Sequence, residues 1–116
     1  MKILFIINES PYGGERSYNG LRLAISLARS AEEPEIMVFL MADGVYCAKA
    51  NQETPVGYYN IERMIKSLIQ RGSVLLCGVC MDARGLKDED LVSGCRRSSL
   101  DELTDLTIKA DKVITF

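Results

Sequence analysis

The sequence predicts an α/β fold built around a mainly parallel sheet, and two patterns lead to that prediction. Short apolar runs without polar alternation recur along the chain, which is typical of strands that are buried on both faces. Segments whose apolar residues have helical spacing separate these runs. Strands that alternate with helices of this length indicate right-handed βαβ crossovers and a sheet with helices on both faces.

Four segments are predicted to be strands. They are residues 3–7, 36–41, 74–77 and 112–116. The first three are almost wholly apolar, whereas the last also carries a lysine and a threonine. Their lengths are ordinary for strands and short for helices, which favours the strand interpretation.

Three segments between or after these strands are predicted to be amphipathic helices, because their apolar residues fall on one face. The apolar faces are Leu21, Ala24, Ile25 and Ala28; Ile61, Met64, Ile65 and Leu68; and Leu100, Leu103, Leu106 and Ala110. The third helix begins after Ser99, and Glu102 follows at the position that completes a capping box. We therefore expect Ser99 and Glu102 to satisfy each other's free backbone amides.

Length and composition limit the classes of protein. A chain of 116 residues suits one domain, spanning residues 1–116. The formal net charge of −2 argues against a large basic face, and therefore against nucleic acid as a partner. No apolar run is long enough to span a bilayer, and the opening run is too short for a secretory signal. We therefore expect a cytoplasmic protein that does not bind membranes.

The carboxyl ends of parallel strands gather at one edge of a sheet, where ligand sites form in open α/β folds. Asn8, Asp43 and Cys77 lie at or just beyond the ends of the first three predicted strands. Two loops follow there, residues 8–17 and 44–57. We expect these three residues, although distant in sequence, to lie near one another.

The chain has four cysteines, Cys47, Cys77, Cys80 and Cys95, and no histidine. Cytosolic cysteines are seldom disulfide-bonded, so these are free thiols, metal ligands or redox groups. The absence of histidine excludes Cys-His and Ser-His nucleophile pairs and every zinc site that contains histidine. Any chemistry of this protein therefore proceeds without imidazole.

The stretch with the most chemical information is residues 77–85, CGVCMDARG. Cys77 ends a strand and precedes a predicted helical turn, whose amides and dipole favour a thiolate. Arg84 would favour ionisation, whereas Asp43 and Asp82 would oppose it, so the sequence leaves the direction of the pKa shift open. Cys47 and Cys95 lie in polar, loop-like contexts and are interpreted as incidental thiols.

Four interpretations of the Cys77–Cys80 pair remain open from the residues alone. A strand-end cysteine can simply fill a buried apolar site. A thioredoxin-like dithiol would have a cis-proline after the pair, but every proline precedes it. A four-cysteine zinc site would have a second paired motif. A persulfide carrier needs an accessible thiolate and a shielding pocket but no general base, which suits a chain without histidine.

The loop after the first strand is placed where nucleotide folds bind phosphate. Residues 8–17 nevertheless lack both the Gly-Lys-Ser/Thr ending of a P-loop and the dinucleotide glycine pattern. Glu9 and Glu15 would also repel an anion. We therefore expect neither a cofactor nor a metal ion, and assign the loop to the wall of the site.

Taken together, these segments resemble the DsrE/DsrF-like family, in particular its YchN type. The resemblance covers nearly the whole chain, and the cysteine-to-Arg-Gly stretch is its most specific part. The matching segments are NESPYGGE at 8–15, LRLAI at 21–25, FLMAD at 39–43, GYYNI at 57–61, CGVCMDARG at 77–85 and ADKVITF at 110–116.

The resemblance implies a three-layer α/β/α sandwich around a mainly parallel sheet, with a Rossmann-like or flavodoxin-like topology, assembled into hexamers. In sulfur-relay relatives, the cysteine seven residues before the arginine of the Arg-Gly pair carries the sulfur. That position is Cys77 in this chain, and Cys80 matches a second cysteine common in the group. Nothing carries over to Cys47 or Cys95.

The functional hypothesis is a sulfur carrier or sulfurtransferase with a persulfide on Cys77 and Cys80 as a resolving or modulating thiol. The expected pocket-lining residues are Asn8, Tyr12, Gly13, Asp43, Asp82 and Arg84. The alternatives are a non-catalytic oligomeric module that binds a small ligand or partner, and a dithiol oxidoreductase. Expected partners are further copies of the chain, through Tyr58, Tyr59 and Met64, and a protein that donates or accepts sulfur.

Overall fold

Five parallel strands form one sheet in the computed structural model, which describes residues 1–116. The order across the sheet is β4-β3-β2-β1-β5, and every neighbouring pair is parallel. The strands are β1 (Lys2–Ile7), β2 (Glu35–Leu40), β3 (Gly72–Cys77), β4 (Arg96–Ser98) and β5 (Lys112–Thr115). The predicted fold class is confirmed, and the four predicted strands are present to within two residues at each end.

Four α-helices and two 3₁₀ segments connect the strands. The α-helices are α1 (Arg16–Ala28), α2 (Ile61–Ile69), α3 (Gly78–Ala83) and α4 (Leu100–Lys109). The 3₁₀ segments are Ala42–Ala48 and Asp88–Asp90. The three predicted amphipathic helices correspond to α1, α2 and α4. No helix combines the length and apolar character needed to cross a bilayer.

The two faces of the sheet carry cores of different size. On the first face, strand residues such as Phe5, Val38 and Leu76 pack against α1 and α2 in a cluster of 19 buried residues. On the second face, a cluster of five buried residues packs under Leu103 of α4. Successive strand residues point to opposite faces, so the uninterrupted apolar runs follow from coverage of both faces. The second outer layer is thus a single helix.

β4 is the strand that the sequence did not predict. Its three residues, Arg-Arg-Ser, contain no apolar side chain, and both arginines are exposed. A short, charged strand is ordinary at the edge of a sheet, where it discourages pairing with other chains. The register pairs Cys77 with Ser98, so this edge strand supplies one wall beside the cysteine.

The connections that follow β3 and β4 lie on opposite faces of the sheet. The connection after β3 runs through α3, whose Met81 belongs to the larger core, and the connection after β4 runs through α4 on the other face. The two connections therefore leave adjacent strand ends toward opposite faces. Such connections leave a crevice between the carboxyl ends of β3 and β4, although the strand order itself reverses between β1 and β5.

Glu102 fastens α4 to β4. Its carboxylate accepts hydrogen bonds from Arg96 at 2.8 and 2.5 Å and from the Ser98 hydroxyl. Ser99 caps α4 by accepting from the Glu102 amide at 3.2 Å. Only half of the expected capping box forms, because the carboxylate binds Arg96 and Ser98 instead of the Ser99 amide. The ion pair with Arg96, followed by the bond from Ser98, lowers the pKa of Glu102 to about 2.

Replacing Glu102 by glutamine is expected to reduce the free energy of unfolding at neutral pH by about 1 kcal/mol. Because the folded-state pKa is depressed, this contribution is complete above the unfolded value of about 4.3 and is lost as the pH falls toward 2. Urea unfolding at pH 7 and at pH 2.5 should show a clearly smaller difference between the two proteins at the lower pH.

Asp105→Asn is the matched control for this experiment. Asp105 lies on the same helix, but its pair with Lys109 is long, at 3.8 Å, and exposed. An equal loss of stability in both variants would contradict a specific role for Glu102 in joining α4 to β4.

Candidate functional site

Cys77 lies where β3 ends and α3 begins, at the carboxyl edge of the sheet. It is the N-cap residue of α3, and its sulfur accepts a hydrogen bond from the Cys80 amide at 3.3 Å. Its register partner on the neighbouring strand β4 is Ser98. The alternating strand pattern directs Cys77 toward the smaller core, where it packs at the edge of that cluster. The predicted strand-end position of Cys77 is confirmed.

The thiol opens into a cleft of about 540 Å³ between the ends of β3 and β4. Cys77 is only partly buried, so its sulfur is not sealed inside hydrocarbon. Val79 and Leu100 form apolar parts of the wall and are exposed by 77% and 71%. The residues lining the cleft are Met41, Cys77, Gly78, Val79, Arg97, Ser98, Ser99 and Leu100.

The surroundings raise the pKa of Cys77 above its ordinary value. Burial is the largest cause, and a hydrogen bond with the Cys80 thiol acts in the same direction. The backbone amides of Cys80 and Val79 partly oppose these effects. The expected help from a helix dipole is small because α3 has only six residues. The direction that the sequence left open is therefore upward, and the thiol is mainly protonated at neutral pH.

Cys80 lies on the other side of the α3 turn from the open cleft. Its sulfur accepts a hydrogen bond from the Ala42 amide at 3.2 Å, and its side chain packs against the larger core. No disulfide is present. The two thiols are thus adjacent but differently placed, with Cys77 facing the cleft and Cys80 facing the 3₁₀ segment Ala42–Ala48.

Arg84 does not reach the Cys77 cleft. Its Nε donates to Asp43 at 2.8 Å and its Nη1 donates to the Cys80 carbonyl at 3.0 Å. The pair with Asp43 raises the pKa of Arg84. These bonds tie α3 to the 3₁₀ segment after β2, so this arginine braces the backbone around the cysteines.

The other expected pocket residues are distributed over separate places. Asn8 and Asp43 line a second cleft of about 450 Å³ beside the ends of β1 and β5. Tyr12 packs against Tyr58 and Tyr59, and its hydroxyl accepts a hydrogen bond from the Ile61 amide at 3.1 Å. The Gly13 amide donates to Ser10 within its own loop. None of these side chains lines the Cys77 cleft.

Asp82 does not line the Cys77 cleft itself but binds Arg97, which does. Its carboxylate accepts two hydrogen bonds from Arg97, at 2.9 and 2.6 Å. Arg97 and Ser98 are the residues of this site that sequence reasoning missed. Both belong to β4, and no apolar periodicity marks that strand. The only available signal was a pair of arginines shortly after the cysteine motif.

Cys47 and Cys95 are remote from this chemistry. Burial raises the pKa of each thiol to about 12. Cys47 is fully buried in the larger core, and Cys95 packs against that core. No group of three or more His, Cys, Asp or Glu side chains is arranged to hold a metal ion. Both cysteines therefore serve packing.

An all-parallel sheet with a thiol at the carboxyl end of a central strand defines an α/β protein with a strand-end cysteine site. The chain belongs to the DsrE/DsrF-like family, whose sequence model matches residues 1–116. It is 40% identical to YchN of Escherichia coli K12 over 116 residues, which covers 99% of this chain and 98% of YchN. Identity is also 40% with an uncharacterised protein of Methanocaldococcus jannaschii, covering 100% of both chains.

One solved structure and one more distant sequence relative are also similar to this chain. The crystal structure of Escherichia coli YchN matches with a TM-score of 0.93 at 38% identity, covering 100% of this chain and 99% of that one. A TusC homolog of Pasteurella multocida is 23% identical over 120 residues, covering 100% of both chains. Membership of the DsrE/DsrF-like family, YchN type, is therefore confirmed.

Because the pKa of Cys77 is raised, its alkylation at pH 7 is expected to be slower than that of an unperturbed thiol. Only the thiolate reacts, so the rate should continue to rise with pH beyond the range in which a cysteine-containing peptide levels off. Iodoacetamide labelling over pH 6–10, followed by peptide mass spectrometry, measures this profile. A labelling rate that levels off at a lower pH than that of the peptide would contradict the assigned direction of the pKa shift.

Proposed function

We propose that this protein is a sulfur carrier of the sulfur-relay type. In this proposal Cys77 accepts a sulfane sulfur as a persulfide and passes it to the thiol of a partner protein. The observation that carries the proposal is the partly buried Cys77 that lines the cleft between the ends of β3 and β4. Membership of the DsrE/DsrF-like family and the similarity to a TusC homolog support it.

Sulfur transfer to Cys77 is a thiol-exchange reaction. The Cys77 thiolate attacks the terminal sulfur of a donor persulfide, a new S–S bond forms, and the donor's S–S bond breaks. The donor leaves as a thiolate and takes a proton from solvent. In the second half, an acceptor thiolate attacks the same terminal sulfur and releases the Cys77 thiolate. No external oxidant or reductant enters either half.

The site suits this exchange better than acyl or phosphoryl transfer. Exchange at sulfur needs a thiolate and a leaving thiolate, but no imidazole base. The raised pKa of Cys77 keeps most of the free protein in the unreactive thiol form. The thiolate that does form is more nucleophilic than that of a thiol with a lower pKa, because it is more basic. The apolar walls at Val79 and Leu100 would shield a bound persulfide from competing thiols.

Cys80 is proposed as the resolving or modulating thiol. A hydrogen bond with the Cys80 thiol contributes to the raised pKa of Cys77, which supports exchange between the two sulfurs. Attack by Cys80 on the inner sulfur of the persulfide would form a Cys77–Cys80 disulfide and release hydrogensulfide. That reaction discharges the carrier when no acceptor is bound.

Incubation with a small-molecule persulfide donor is expected to add one sulfur atom to the peptide that contains Cys77. Cys77→Ser should abolish this addition, because no other thiol is both exposed and adjacent to the cleft. Intact-protein and peptide mass spectrometry measure the gain. Cys95→Ser is the matched control and should load as the wild type does.

The same experiment separates the alternative functions. Cys80→Ser should still acquire sulfur on Cys77 and should retain it longer, because the discharge reaction is removed. A protein that reduces insulin, and loses that activity with either cysteine, would instead be a dithiol oxidoreductase. A Cys77 that stays unmodified while the cleft binds a ligand would support the non-catalytic binding module.

We also propose that the chain works in the cytoplasm as a homo-oligomer, which the resemblance suggests is a hexamer. An exposed aromatic cluster supports this proposal: Tyr58 is 50% exposed, and its ring stacks on Tyr59 with centroids 4.5 Å apart. Tyr59 stacks in turn on Tyr18 at 4.2 Å. Exposed aromatic groups of this kind are common at protein interfaces.

Sedimentation velocity at micromolar concentration is expected to show an oligomer for the wild type. Tyr58→Ser should weaken the assembly, because it removes exposed aromatic area without disturbing the core. Leu23→Ser removes apolar area on α1, where Leu23 is 39% exposed, and is the control away from the tyrosines. A monomeric wild-type protein would contradict the proposal.

A further inference from the structure

Arg97 is the single charged residue that lines the Cys77 cleft. It lies on β4, opposite Leu76, one position before the strand partner of Cys77. The remaining lining side chains are apolar, hydroxyl-bearing or thiol groups. Any anion that forms on Cys77 therefore meets one cation in this cleft.

The guanidinium of Arg97 lies directly against Gly78, the residue that follows Cys77. A Cβ atom at position 78 would lie 2.7 Å from Nε and 3.0 Å from Cζ. The guanidinium therefore occupies the space that any larger residue would fill. An ionised Cys77 would also raise the pKa of Arg97, which places the two groups within electrostatic reach.

Asp82 holds this guanidinium in position. The two bonds between the side chains form the fork-to-fork geometry that is specific to arginine and a carboxylate. Both side chains are partly exposed, at 40% for Arg97 and 64% for Asp82. Arg97 pairs with Leu76, so its side chain leaves β4 on the face of the larger core and reaches Gly78 at the border of the cleft, where the carboxylate fixes the orientation of the guanidinium.

We propose that Arg97 stabilises the anionic sulfur carried by Cys77. This inference rests on the proposed function and assigns to it a residue outside the cysteine motif. When the donor's terminal sulfur moves to Cys77, the S–S bond to Cys77 forms and the donor departs as a thiolate. The S–H proton of the new persulfide passes to solvent, and the resulting anion faces the guanidinium.

The other charged groups around the site are already engaged with partners outside the cleft. On α3, Cys80 is a thiol and Asp82 binds Arg97, and Asp88 of the second 3₁₀ segment also acts on the Arg97 guanidinium. Removal of Arg97 therefore both deletes the cation and leaves the Asp82 carboxylate uncompensated. The remaining pairs are Arg84 with Asp43 on the 3₁₀ segment and Arg96 with Glu102 on α4.

The test compares alkylation of Cys77 by neutral iodoacetamide across pH 6–10 in single variants of the full chain. Arg97→Gln is expected to move the profile to higher pH and to slow labelling at pH 7 by roughly threefold to tenfold. Arg97→Lys should restore most of the rate, because it keeps the positive charge. Arg71→Gln is the matched control, because it makes the same charge change at an exposed residue just before β3, at the far end of that strand from Cys77, and no shift is expected.

Gly78→Ala tests position separately from charge. The added methyl group overlaps the far end of a flexible side chain, so the guanidinium can move away while the fold is retained. Labelling at pH 7 is expected to slow in the same direction as in Arg97→Gln, with every charged residue still present. Far-UV circular dichroism and thermal unfolding establish that each variant is folded.

Equal profiles for wild type, Arg97→Gln and Gly78→Ala would overturn the assignment, as would an equal shift in Arg71→Gln. The labelling assay uses no sulfur donor, so it reports on Arg97 independently of sulfur transfer. A Cys77 that never loads sulfur, together with a shifted Arg97→Gln profile, would refute the carrier function only. Normal loading with no shift would refute the role of Arg97 only.

Discussion

The parallel pairing of β4 with β3 is the interaction on which the site depends. It places Ser98 beside Cys77 and brings Arg97 over the first residue of α3. Because the next connections leave toward opposite faces, the strand ends separate above this pair and a cleft opens. The pairing itself needs no apolar side chain from β4, since its backbone hydrogen bonds and the Arg96–Glu102 contact hold the strand. An exposed, three-residue strand thus determines the surroundings of the reactive sulfur.

Three arginine–carboxylate pairs surround the cysteines, and each performs a different task. The Arg84–Asp43 pair joins α3 to the segment after β2, and the Arg96–Glu102 pair joins α4 to β4. The Arg97–Asp82 pair alone borders the open cleft. Each arginine near the site is paired with a carboxylate, and burial is the largest influence on the pKa of Cys77. The free protein accordingly holds Cys77 mainly as a thiol.

Much of the architecture could be predicted from local pattern, because both faces of the sheet are covered. Strand residues that are buried on either side must be apolar, and this produced the four recognisable runs. The predicted cap by Ser99 on α4 is confirmed. The predicted return bond from Glu102 is absent, because its carboxylate binds Arg96 and Ser98. Leu100 was expected on the buried face of α4, yet it is 71% exposed at the rim of the cleft. A helical pattern does not show how far its first turn projects beyond the sheet.

The sequence by itself determined the fold class, the family and the position of Cys77 at the end of a buried strand, because each depends on apolar runs and a contiguous motif. It also indicated which cysteines are incidental. Only the tertiary structure decided which residues share the cleft with Cys77. Asn8 and Asp43 line a second cleft and not the expected one, whereas Arg97 and Ser98 line the cleft of Cys77. The reason is that strand order and crossover direction decide which strand ends are neighbours. The direction of the Cys77 pKa shift was likewise a tertiary property, since burial and paired charges outweigh a six-residue helix.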